Sequence, residues 1–68
     1  MILVLSNVKD ENYKEKVNNF KYEYNYLKIK KVKQHDDKII IELKGFLPGS
    51  ILDFILEDFN TNSWYLLD

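Results

Sequence analysis

Apolar and polar residues recur along this chain with two different periods, and each change of period marks an element. Ile2 to Val8 is a nearly continuous apolar run, of the kind a buried strand carries. Further on, Tyr13, Val17, Phe20, Tyr24 and Leu27 fall at steps of four, three, four and three. That spacing is one face of a helix. Asp10 stands where such a helix is capped, with Glu11 favourable in its first turn. Tyr22, Tyr24 and Tyr26 recur at every second residue, which is a strand period, so Tyr24 belongs to both patterns. Asn18-Asn19 are poor helix formers. They place the helix end between Asn19 and Tyr22, with a strand starting soon after.

That strand continues through Lys28-Ile29-Lys30-Lys31-Val32-Lys33, breaks at His35-Asp36-Asp37, and is answered by Lys38-Ile39-Ile40-Ile41-Glu42-Leu43. A β-rich run, a polar break and a β-branched run predict an antiparallel hairpin, with the aspartates favouring the turn. Gly45 and Pro48-Gly49 punctuate the next connection. Ser50 then serves as an N-cap, with Asp53 in the first turn. Ile51, Leu52, Ile55 and Phe59 make an apolar face that Phe54 and Leu56 widen, so Phe54 is expected in the core. Asn60 and Asn62 end this second helix, and Ser63 to Leu67 form a last strand.

The order β-α-β-β-α-β predicts a small α+β domain over residues 1–68. It is the split β-α-β, or ferredoxin-like, pattern, with a four-stranded antiparallel sheet and two helices on one side. The alternative treats residues 50–59 as irregular or strand and gives a small, mostly β barrel with one helix.

Composition narrows the chemistry. The 68 residues contain no cysteine, so neither a disulfide nor a thiolate metal site is available. They are 46% hydrophobic with ten aromatics, more large apolar surface than so small a core hides, so some is expected at an interface. The formal charge of −1 is unevenly placed. Residues 21–45 hold seven lysines against four acids, whereas residues 46–68 hold Asp53, Glu57, Asp58 and Asp68 with no base. Arginine is absent, which removes bidentate recognition of phosphate or guanine. The apolar start is too short for a signal peptide, and no run approaches the roughly 18 apolar residues of a membrane span. A soluble, cytoplasmic protein is expected.

No catalytic pattern emerges. His35 beside Asp36 and Asp37 sits in one turn, and three adjacent residues do not surround an ion. Asp53 and Glu57 share a helix side opposite the apolar face. The serines lack a histidine at an informative spacing, and the glycines form no phosphate loop. No cofactor or metal is expected, and the chain is expected to be no enzyme.

Binding is the remaining class. Exposed aromatics from the set Tyr22, Tyr24, Tyr26, Trp64 and Tyr65, together with Asp53, Glu57 and Asp58 as an acidic face, suit a small protein-binding module. A phage-type or mobile-element inhibitor of a host protein, such as one that handles nucleic acid, fits that description. Trp64 and Tyr65, adjacent on one strand, point to opposite sides, one expected in the core and the other exposed. The alternatives are a single-strand nucleic-acid binder that stacks bases on the tyrosines and tracks phosphates with Lys28, Lys30, Lys31 and Lys33, and a homo-oligomer paired through its sheet.

Overall fold

Six elements follow one another in a computed structural model that describes residues 1–8 and 12–67: β1 (Ile2–Ser6), α1 (Tyr13–Glu23), β2 (Lys28–His35), β3 (Lys38–Lys44), α2 (Gly49–Asp58) and β4 (Ser63–Leu67). The strand order is β2-β3-β1-β4, and every neighbouring pair is antiparallel. This is the split β-α-β arrangement. An open sheet with a helical 49–58 segment replaces the barrel alternative.

The register explains the core. Leu3 pairs with Ile41 and Leu5 with Ile39, and opposed residues share a face of the sheet. These four, with Leu43, meet Phe20 and Tyr24 of the first helical segment and Ile55 and Phe59 of the second in one buried cluster. Both helices therefore cover the same face. Each fully buried side chain contributes roughly 1.5–3 kcal/mol. The other face carries Ile2, Val4, Ile40 and Glu42 from the central strands.

The first helix runs further than its asparagines predict. It continues to Glu23, and the Tyr24 backbone N–H still donates to the Phe20 carbonyl at 3.0 Å. Tyr22 is thus in the last helical turn, Tyr24 at the cap and Tyr26 in the turn beyond. The expectation that these tyrosines lie on a strand is corrected. Helix propensity separates Asn from better formers by only tenths of a kcal/mol, whereas burying an aromatic ring is worth about ten times more. Tyr24 stacks 4.6 Å from Phe20 and gives its hydroxyl hydrogen to the Asp58 carboxylate. The helical spacing wins. The expected cap at Asp10 and Glu11 lies outside the described residues.

One residue sets the facing of β2. Ile29 opposes Leu43 while Lys31 opposes Glu42, so Lys30 is an extra residue, a β-bulge. Ile29 and Val32 are three apart and would otherwise point to opposite sides. The bulge brings both onto the helix-covered face, and both pack against the core. The hairpin closes at Asp36-Asp37, with Asp36 at φ 54°, a left-handed conformation that aspartate tolerates.

The second helix starts earlier than expected. Pro48, not Ser50, is the N-cap residue, and its carbonyl accepts from Ile51 and Leu52. Buried Leu47 anchors the preceding loop, and the fixed φ of proline leads directly into the first turn. The C-terminal end is a Schellman motif. Asn60 takes φ 50°, its N–H reaches the Glu57 carbonyl, and the Thr61 N–H reaches that of Leu56. Thr61 is buried. Its hydroxyl donates to the Ser6 carbonyl and accepts from the Ser63 N–H, which seats the start of β4 against the end of β1.

Candidate protein-binding edge of the sheet

The strand order leaves two edges, β2 and β4, and they are built differently. An exposed edge offers unpaired N–H and C=O groups to any passing strand. Edge β2 carries Lys28, Lys30, Lys31 and Lys33, all exposed, with the bulge at Lys30. Charge and irregularity of this kind discourage pairing. Edge β4 reads Ser63-Trp64-Tyr65-Leu66-Leu67, regular against β1 over all five residues and without a charge.

Both faces of β4 are incompletely covered. Trp64 opposes Leu5 and Leu66 opposes Leu3, on the helix side. They remain 41% and 43% exposed. Tyr65 opposes Val4 and Leu67 opposes Ile2, on the open side, at 45% and 48% exposed. Trp64 and Tyr65 do point to opposite sides, but neither enters the core cluster, contrary to the expectation that one of them would. The helix layer centres on Phe20, Ile55 and Phe59 over the two inner strands and leaves the β4 row half open. Beside the start of β4 a polar cleft of about 370 Å³ is lined by Asn7, Asn60, Thr61, Asn62 and Ser63, with the Asn7 amide donating to the Ser63 hydroxyl at 3.2 Å. An apolar strip with a polar rim is the ordinary anatomy of a protein contact.

The remaining candidates separate into covered and free. Tyr24 is buried at 6% exposed, and Asp58 is engaged by it, while the Asp58 carbonyl accepts from the Lys16 ammonium. This pair ties the two helices together and offers little to a partner. Burial first, then the hydrogen bond to Asp58 and its charge, pushes the Tyr24 phenol above its ordinary pKa. Asp53 and Glu57 are exposed on α2 at helical spacing of four, with Phe54 beside them, 59% exposed. Phe54 is therefore no core residue. It precedes Ile55 by one position, and about 100° of helical rotation carries it off the buried face. Tyr22 and Tyr26 are exposed, but at the end of a helix and in a turn, not on the strand that bears the lysines.

On the open side, Lys33 opposes Ile40 and Lys31 opposes Glu42. Hydrogen bonding with Lys31, then its charge, lowers the Lys33 pKa, and Glu42 acts in the opposite sense. With Ile2 these residues line a shallow cleft of about 180 Å³. The inner strands present Ile2, Val4, Ile40 and Glu42 where a base-stacking sheet would carry rings. His35 and Asp36 lie 3.6 Å apart on an exposed turn, and no group of three or more metal-ligating residues occurs among the described residues. No described helix is long and apolar enough to cross a membrane.

Leu66 and Leu67 are half-exposed candidates that sequence reasoning passed over, taken there only as strand. Their signal was the missing charge. A five-residue strand at the edge that the split β-α-β order assigns to β4 would ordinarily carry a lysine or glutamate. No family model matches the chain, and no curated protein or solved structure is significantly similar to it.

Proposed function

We propose that this chain works by binding another polypeptide, in the cytoplasm, through the β4 edge and the half-covered aromatic and leucine side chains on its two faces. The unequal treatment of the two sheet edges carries this reading: four lysines and a bulge on β2, none of either on β4. Strand addition supplies main-chain hydrogen bonds, and side chains on alternate faces supply selectivity. Trp64 and Tyr65 provide large contact area at small entropic cost, as interface anchors do.

A second reading is favoured by α2, where Asp53, Phe54 and Glu57 are all exposed on neighbouring positions. An inhibitor of phage or mobile-element type would set this acidic side, with its phenylalanine, against the basic surface of a host protein.

Photo-crosslinking separates these. A benzophenone amino acid placed at position 65, 54 or 30 is irradiated in cells that make the protein, and adducts are sized. The β4 reading expects discrete protein adducts at 65 and few at 54 or 30. Adducts confined to 54 would transfer the function to the acidic helix. Nuclease-sensitive adducts at 30 would restore the nucleic-acid alternative.

A further inference from the structure

We infer that the polypeptide docking on β4 is a second copy of this chain, paired antiparallel about a two-fold axis normal to the sheet that passes between the two copies of Tyr65. The inference rests on the β4 edge as the binding surface and names its occupant.

Symmetry limits the possible pairings. A two-fold axis normal to the sheet makes the two edge strands antiparallel and keeps all helices on one side. It also requires opposed residues to share a face, because side chains alternate along a strand. Centring the axis on Tyr65 overlaps all five residues of Ser63–Leu67. Trp64 then meets the partner copy's Leu66 on the helix side, Tyr65 meets its own copy on the open side, and Ser63 meets Leu67. The product is a continuous eight-stranded antiparallel sheet with no unprotected edge.

Charge selects self-pairing at β4 over self-pairing at β2. The strand is neutral, so aligning it with itself opposes no like charges. The same operation on β2 would stack lysine on lysine. Pairing at β4 also leaves the two lysine-bearing β2 strands at the far ends of the joined sheet, as distant as the fold allows. Four half-exposed side chains on a five-residue strand fall well short of the roughly 800 Å² that a standard interface buries on each partner. The dimer is therefore weak and exchanges with monomer.

The absence of cysteine makes the register directly readable. Residues opposed across an antiparallel pair have Cα atoms about 4.5–5.5 Å apart, within the span of a disulfide. Under mild oxidation Tyr65→Cys should convert to covalent dimer, while Lys33→Cys, in the middle of β2, should stay largely monomeric. In sedimentation equilibrium the wild type should pass from monomer towards dimer between about 10 μM and 1 mM, the range expected of so small an interface. Tyr65→Lys opposes two ammonium groups at the axis and should raise that midpoint by about tenfold or more, with an unchanged circular dichroism spectrum. A wild type that stays monomeric at the top of this range overturns the inference, as does disulfide formation no faster at 65 than at 33. If Tyr65→Lys fails to fold, the disulfide comparison decides alone. A monomer that still gives crosslinks from position 65 to other polypeptides removes self-pairing and keeps the β4 edge as the binding surface. A monomer without such crosslinks removes both.

Discussion

Phe20→Ala is expected to leave the protein largely unfolded at room temperature. Phe20 is 1% exposed, lies 4.6 Å from the Tyr24 ring and 6.1 Å from that of Phe59, and is the point where the two helices meet over the sheet. Truncating a buried phenylalanine costs about 3–5 kcal/mol, part in lost transfer energy and part in the cavity left behind. A chain of this length has on the order of 3–10 kcal/mol of stability in total. Urea denaturation followed by circular dichroism should show Phe20→Ala with little or no native baseline. Phe54→Ala, by contrast, should shift stability by no more than about 0.5 kcal/mol, because its ring already faces water. Equal losses in the two variants would contradict the assignment of the α2 faces.

Tyr24→Phe should destabilise the protein by about 1.5–3 kcal/mol, the usual worth of a hydrogen bond to a charged partner. The substitution keeps the ring against Phe20 and removes only the donor to Asp58. It should also change the alkaline limb of the stability profile. The folded state raises the Tyr24 pKa above the ordinary 10.0, chiefly by burial and then through Asp58. Below pH 10.0 the phenol is neutral in both states and its stabilising contribution is fully present. Above that point the unfolded chain ionises first, so the folded form binds more protons and stability falls as pH rises through the folded pKa. Thermal melts from about pH 8 to pH 11, spanning the ordinary tyrosine range, should fall more steeply for wild type than for Tyr24→Phe.

The sequence carried the element order because its patterns were local: the isoleucine run of β3, the stripe from Tyr13 to Tyr24, the glycine and proline before α2. The misplaced boundary at Tyr22 to Tyr26 has a non-local cause. Tyr24 fits a strand period and a helix period equally, and what separates them is a contact with Asp58, 34 residues away in the chain. Ser50 looked like the better N-cap, but the helix starts earlier, capped by Pro48 directly after the buried Leu47. Phe54 was misassigned because an apolar face drawn from composition alone has no width limit, whereas the sheet covers only the Ile55 and Phe59 side. Of the candidate contact residues, Trp64 and Tyr65 were legible as an alternating aromatic pair. Their partial exposure on both faces was not, since it depends on how far the helix layer reaches across the sheet. Tyr24 and Asp58 were read as surface and turn out to be each other's partners.

Amide hydrogen exchange, compared between dilute and concentrated protein, tests self-pairing through the β4 edge most directly, because it reports on edge hydrogen bonds themselves. At about 1 mM, in the range expected of a small interface, exchange should slow within Ser63–Leu67 and stay unchanged within Lys28–His35. Unaltered exchange along β4, or equal protection along the lysine-bearing β2, would contradict self-pairing at β4.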